Sequence, residues 1–192
     1  MEEQSLQDTI ARARDGDSAA FEALLDAYAQ RLYGYFFQAT RRHHDAEDLL
    51  GEVQLRLVQQ LNRYDHRGRF DHWLFRIAAN LVRDRIRRSK MRPSPQTIHD
   101  EDESGVSLAD RLVGPDQRVD ASLLQAEAGR QLSAALDRLD ATTREMILLR
   151  HFGEMSFKEL AGYFEVPLGT ALARVHRGLK QLRGWMATAS PE

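Results

Sequence analysis

Four side chains near the end of this 192-residue chain have chemistry suited to nucleic acid. At 3.6 residues per turn, Thr170, Arg174, Arg177 and Gln181 fall on one side of a helix. Leu168, Ala171, Leu172, Val175, Leu179, Leu182 and Met186 fall on the other. His176 and Lys180 flank the polar stripe. Arginine bonds guanine edges or phosphates and threonine bonds bases, so such a stripe suits a helix lying in a DNA major groove. The solvated face of an ordinary amphipathic helix has a similar composition. What precedes the stripe supplies the other half of such a motif, and on the residues alone both readings stay open. Ser156 is a good N-cap, Glu159 completes a capping box, and Leu160, Ala161 and Phe164 give the short helix an apolar side. Glu165-Val166-Pro167 breaks it, and proline suits the first turn of the helix that follows. Two helices in tandem across a tight turn form a helix-turn-helix.

Further candidates lie upstream. Asp45, Glu47, Asp48 and Glu52 form an acidic cluster, and Asp48, Glu52 and Gln59 share one helical face with Asp45 near it. Such a face can dock a cationic partner. Carboxylates in a first helical turn also favour the helix dipole, and Asp45 suits an N-cap. Beyond it, Gly68, Arg69, Phe70 and Trp73 bring backbone freedom, a phosphate ligand and two aromatic surfaces together. Packing is the expected use of Phe70. On the helix that follows, Trp73, Arg76, Asn80, Arg83, Asp84 and Arg87 face away from Leu74 and Leu81. Arg87, Arg88, Lys90 and Arg92 suit phosphate contacts, which give salt-sensitive affinity with little sequence information.

The net charge is only −2, so any affinity for nucleic acid must come from segregated charge. The segregation is visible: acids at 45–52, bases at 83–92, acids again at 100–103, bases again from Arg174 to Arg183. There is no cysteine, which excludes disulfides, thiolate nucleophiles and cysteine zinc sites and fits a reducing, cytoplasmic setting. No apolar run reaches membrane-spanning length, and the N-terminus lacks the basic start of a signal peptide. No phosphate-binding glycine loop, nucleophile motif or zinc spacing is present, so neither catalysis nor a cofactor is expected. His43, His44, Asp45 and Glu47 point in different directions from a helix start, and no metal site is expected there.

These residues need helices to position them. The spacing predicts a helix over residues 5–15, stopped by Gly16. A second is capped by Asp17 or Ser18 and buries Phe21, Leu24, Leu25, Tyr28, Leu32 and Phe36. Asp45 is the expected cap of a third, which buries Ala46, Leu49, Leu50, Val53, Leu57 and Leu61. After a loop over 64–71, a fourth over 72–88 buries Leu74, Ile77, Ala78, Leu81 and the stem of Arg85. Residues 93–115, punctuated by proline and glycine and rich in acids, read as a flexible linker. A long helix to about Leu139, a capped one from Asp140 to His151, and the helix-turn-helix complete the chain. The fold class is all-α, with expected domains at 1–92 and 116–192.

The motifs resemble those of a known family. Asp45-Ala46-Glu47-Asp48-Leu49, residues 68–81 from Gly68-Arg69-Phe70 to Ala79-Asn80-Leu81, and Asp84-Arg85-Ile86-Arg87-Arg88 are similar to the second conserved region of sigma-70-family sigma factors. Leu148-Leu149-Arg150, residues 156–161, and Pro167-Leu168-Gly169-Thr170 with Arg174 are similar to the fourth. Having only these two regions is the layout of the extracytoplasmic-function (ECF) group. The resemblance implies a subunit that binds core RNA polymerase through its beta-prime clamp helices and beta flap. It also implies promoter DNA and an anti-sigma factor as partners. On that basis Asp45, Asp48, Glu52 and Gln59 would meet the polymerase. Arg69, Trp73, Arg76, Asn80, Arg83, Arg87 and Arg88 would read the minus-ten element and hold an extruded base. Thr170, Arg174, His176, Arg177 and Lys180 would read the minus-thirty-five element. The acids at 100–103 would mimic nucleic acid in the polymerase cleft, or serve as a plain tether.

The resemblance has departures. The family's usual Thr-Val-Lys-Ser-Arg is here Thr170-Ala171-Leu172-Ala173-Arg174, and its turn glycine is Glu165. Contact at the minus-thirty-five element is therefore expected to be weaker or differently specified. Two other functions compete. A stand-alone helix-turn-helix regulator would bind duplex DNA without polymerase. A sigma mimic that sequesters an anti-sigma protein would normally carry a receiver domain, for which this chain has no room.

Overall fold

The structure is a computed structural model that describes residues 3–64, 69–91 and 119–189. The described residues are helical, without a strand, and fall into two units. The linker at 93–115, with its acidic run, and Gly68 and Arg92 lie outside the described residues.

In the first unit, α1 (Glu3–Arg14) ends at Gly16, whose φ of 91° is readily reached only without a Cβ. Helix α2 (Ser18–Thr40) starts with Asp17 as N-cap, its Oδ1 accepting from the Ala20 N–H at 3.1 Å. Helix α3 (His43–Gln60) runs into a 3-10 turn (Leu61–Arg63), and α4 (Phe70–Met91) closes the bundle. Leu24, Leu32, Phe36, Leu49, Val53, Leu57, Leu74, Phe75 and Ala78 are each at most 2% exposed, and they form the core. Expected and observed buried faces agree on α2, α3 and α4, apart from half-buried Phe21, Leu25 and Ile77.

Among the boundaries that differ from the sequence expectation, two helix starts bear on the candidate residues. Helix α4 begins at Phe70 rather than near His72. Helix α3 begins at His43, with Arg42 at the cap position and no side-chain cap bond, so Asp45 lies inside the first turn and is not the N-cap.

In the second unit, α5 (Val119–Asp137) precedes α6 (Ala141–Phe152), α7 (Phe157–Tyr163) and α8 (Leu168–Ala189). Asp140 caps α6 as expected, accepting from the Thr143 N–H at 3.0 Å. The capping box of α7 is complete: Glu159 accepts from the Ser156 N–H at 2.8 Å while the Glu159 N–H donates to Ser156 Oγ at 3.3 Å. The core consists of Leu136, Met146, Leu149, Met155, Leu160, Ala171, Val175 and Leu182.

Candidate polymerase and nucleic-acid interfaces

The acidic stripe of α3 is built around an arginine. Asp45, Asp48 and Glu52 are spaced three and four residues apart, which puts them on one side of the helix. All three meet Arg85 of α4. Arg85 Nη1 donates to Asp45 Oδ1 at 2.7 Å and to Asp48 Oδ2 at 3.4 Å, and Nη2 donates to Glu52 Oε1 at 3.2 Å. Burial alone would lower the Arg85 pKa. The hydrogen bond to Glu52, the charge of Asp45 and the hydrogen bond to Asp48 outweigh it, so the guanidinium is held more firmly protonated. Arg42 adds a longer contact, Nη1 to Asp45 Oδ2 at 3.9 Å. One guanidinium and this rim arginine leave the three carboxylates with surplus negative charge. Asp48 and Gln59 are exposed; Asp45 and Glu52 are half-buried.

The sequence placed only the stem of Arg85, inside the apolar face of α4. Its head is the fastener between α3 and α4. The signal was available: an arginine in register with Leu74, Ala78 and Leu81 requires carboxylates opposite it, and α3 supplies three. Arg85→Met keeps the stem's packing and strands the acids. It is expected to lower the unit's unfolding free energy by about 1.5–3 kcal/mol, the range for hydrogen bonds to charged groups. Arg85→Lys, a point charge without the planar fork, should recover only part of that. Urea midpoints of the three proteins check both statements.

The first turn of α4 packs its aromatic rings against Tyr28 and Tyr64. Phe70 is 3% exposed and packs at 5.4 Å from Tyr28 and 5.3 Å from Tyr64, so it belongs to the core. Trp73 is half-buried, 5.0 Å from Tyr64 and 5.5 Å from Phe70, and keeps part of its ring accessible. Arg69 is exposed; its carbonyl accepts from Trp73 N–H at 3.4 Å and its guanidinium sits 3.5 Å from Asp71. Further along α4, Arg76, Asn80, Arg83, Arg87 and Arg88 are exposed as expected. Arg87 pairs with Asp84 at 3.0 Å. Trp73, Arg76, Asn80, Arg83 and Arg87 thus share one outward face, while Arg69 precedes α4 and Arg88, though exposed, lies in line with Leu81.

In the helix-turn-helix, the turn closes as a Schellman motif. The Val166 N–H donates to Ala161 O at 3.0 Å, and Glu165 takes the left-handed position with φ 54°. A glutamate there costs about 1–2 kcal/mol relative to glycine. The buried line of α8 is Ala171, Val175, Gly178 and Leu182. This corrects the expected buried side: Leu168, Leu172 and Leu179 are 52%, 42% and 42% exposed. The buried face is rotated toward Gly178, which brings Thr170 and Arg174 to its flank, both half-buried. Arg174 Nη1 donates to Asp140 Oδ1 at 3.4 Å. The Asp140 carboxyl lies below the ordinary carboxylate range: the Thr143 side-chain bond lowers it, burial opposes, and the Thr143 N–H and the Arg174 charge lower it further. A cleft of about 290 Å³ opens here between Asp140, Thr143, Arg174, Arg177, Gly178 and Gln181. His176, Arg177 and Lys180 are exposed, with His176 stacked 5.9 Å from Phe157 and Arg177 Nε donating to Ala173 O at 3.2 Å.

An all-helical unit with an acidic stripe and a basic outward face, and a second unit built on a helix-turn-helix, define a two-module helical DNA-binding protein. Comparison with known proteins narrows the class. Sigma-70 region 2 matches residues 24–92, and sigma-70 region 4 matches residues 129–182. The RNA polymerase sigma factor CarQ of Myxococcus xanthus is 33% identical over 172 residues, covering 90% of this chain and 92% of the relative. The ECF sigma factor SigX of Bacillus subtilis is 30% identical over 171 residues, covering 86% and 83%. The sigma factor RpoE of Bartonella quintana, solved with the anti-sigma factor NepR, shares the fold at a TM-score of 0.65 and 20% identity, over 88% of this chain and 98% of that one. CnrH, solved with the cytosolic domain of CnrY, does so at 0.62 and 21%, over 95% and 97%. The chain belongs to the sigma-70 family of RNA polymerase sigma factors, in its extracytoplasmic-function group.

Proposed function

We propose that this sigma factor docks on core RNA polymerase through the α3 stripe and reads a promoter with two separate helices. The observation that carries this is the outward face of α4, where Arg76, Asn80, Arg83 and Arg87 are all exposed on the side that carries Trp73, with Arg88 exposed at its flank. Asp45, Asp48, Glu52 and Gln59 meet the beta-prime clamp helices. Their surplus negative charge survives Arg85 and favours a cationic partner. Arg69, Arg87 and Arg88 hold phosphates, Asn80 bonds a base edge, and the accessible part of Trp73 supports an unpaired base. The helix-turn-helix, bearing Thr170, Arg174, His176, Arg177 and Lys180, sits on the upstream element, and the same unit meets the beta flap.

The domains are 1–92 and 116–192, with residues 93–115 as the tether. The tether makes the second DNA contact intramolecular once the first has formed, so neither module needs high affinity alone. The chain acts by binding, without covalent chemistry, metal or cofactor. Its place of action is the cytoplasm, and an anti-sigma factor controls its access to polymerase; a protein of the same fold, RpoE of Bartonella quintana, was solved with the anti-sigma factor NepR.

The test is transcription in vitro with purified core polymerase, the chain and a promoter library. Enrichment of a common two-part promoter supports the proposal. Tight sequence-specific binding of duplex DNA by the chain alone, with no association with core, would overturn it. Within that assay Asn80→Ala is expected to reduce promoter-specific transcription about tenfold, the weight of one good base contact. Core affinity, read by fluorescence anisotropy, should stay within about twofold. The side chain is exposed, so the fold should be unaffected.

A further inference from the structure

The outward face of α8 carries carbon where hydrogen-bond donors would be expected. Opposite the buried line lie Gly169, Ala173, His176, Arg177 and Lys180, with Leu172 on one rim. Leu172 is 42% exposed and Ala173 half-buried. The N-terminal residues of a recognition helix are those that contact base edges. In the first two turns of α8, Leu172 and Ala173 offer those edges no hydrogen-bonding side chain.

An apolar side chain in a major groove gains from one base feature only. Adenine presents N7 and N6, guanine N7 and O6, and cytosine N4; covering any of these with carbon removes a water and gives nothing back. Thymine adds a C5-methyl group, which apolar contact rewards. The charges nearby favour DNA as the occupant over an apolar protein surface. Arg177 and Lys180 lie on the same outward face and His176 between them and the rim. A protein partner would bury them uncompensated, whereas a duplex places phosphates there.

We propose that Leu172 reads a thymine methyl group in the upstream promoter element, with the small Ala173 side chain allowing α8 to approach the bases closely. The proposal rests on the assignment of the helix-turn-helix to that element, and it names the feature recognised there. It predicts that the element contains a thymine at a fixed position, and that cytosine or uracil is a poor substitute.

The experiment uses core polymerase with the full chain on a promoter recovered from the library. Each thymine of the upstream element is replaced singly by deoxyuridine, on both strands, and promoter occupancy is titrated. One position is expected to lose about fourfold in affinity, the worth of one buried methyl group. Leu172→Ala should bind about as weakly as that and lose its sensitivity to deoxyuridine at the same position. Its fold is not at stake because the side chain is exposed. If scrambling the whole element costs more than about tenfold while no single deoxyuridine costs more than about 1.5-fold, the thymine assignment is overturned and the upstream reading stands. If Leu172→Ala keeps the full deoxyuridine effect, another residue reads the methyl and the assignment fails. If scrambling has no effect, both fall together.

Discussion

With arginine in place of Asp48, the chain is expected to lose core polymerase affinity by about tenfold or more, and with it transcription from every promoter. The charge at this one site moves by two units, with two consequences. Asp48 is exposed, so the outward part of the stripe turns from attractive to repulsive toward a cationic partner. Asp48 Oδ2 also lies 3.4 Å from both Nη atoms of Arg85, so a second guanidinium would oppose the first. The first effect belongs to docking and the second to folding, and companion variants separate them. Asp48→Asn keeps an oxygen for Arg85 and removes the charge; its urea midpoint should stay near wild type while core affinity falls severalfold. Gln59→Arg adds a cation to the same face at a position whose side chain is exposed. It should weaken core binding without moving the midpoint. Anisotropy titrations of labelled chain against core polymerase, beside urea unfolding, supply both readouts. If Asp48→Arg lowers the midpoint while Asp48→Asn and Gln59→Arg bind core like wild type, the stripe is a structural device and docking lies elsewhere.

What the sequence revealed and what it hid follow a physical rule. Features settled within four residues were legible. Asp17 and Asp140 cap their helices, and the reciprocal bonds of Ser156 and Glu159 are those expected from the pair's spacing. Contacts settled across the fold were not. Asp45 has the right chemistry for an N-cap, yet its carboxylate is held by Arg85, 40 residues along the chain, and α3 starts two residues earlier. The exposure of Arg76, Asn80, Arg83 and Arg87 on α4 was legible because charged and apolar positions alternate cleanly around that helix. On α8 the apolar residues cover more than half the circumference, so periodicity does not fix where the buried line runs. Gly178, which adds nothing to a hydrophobic pattern, marks that line. Leu168, Leu172 and Leu179 were misassigned for this reason, and Arg174 was expected in open solvent when it leans on the α6 cap.

Gly178 is also the position where substitution should do most damage in the second unit. A Cβ there would stand 2.6 Å from Thr143 Cγ2 and 2.8 Å from Ile147 Cδ1, both well inside contact distance. Ile147 can swing its terminal methyl aside. Thr143 is β-branched and 5% exposed, and its N–H is bonded to Asp140, so it cannot yield without loosening the start of α6. Valine at position 178 brings two further methyl groups into this crossing. Gly178→Val is therefore expected to lower the unit's unfolding free energy by about 1–3 kcal/mol through overpacking. That is a net loss even after the gain in helix propensity over glycine, which is below about 1 kcal/mol. The chain has two tryptophans. Trp73 lies in the first unit, and Trp185 lies in the second with the Arg138 guanidinium 4.2 Å above its ring. In a Trp73→Phe background, Trp185 fluorescence therefore follows the second unit alone during urea unfolding. Gly178→Ala carries the clash without the extra methyls and gains the full propensity term, so it should fall between wild type and Gly178→Val. The functional consequence is directional. To escape the clash α8 must move away from α6, which separates Arg174 from Asp140 and reorients the outward face that carries His176, Arg177 and Lys180. Upstream-element recognition should fall with stability while core docking through α3 persists. An unchanged Trp185 midpoint in Gly178→Val would mean that the crossing of α6 and α8 has slack, and that the buried glycine does not set the orientation of the recognition helix.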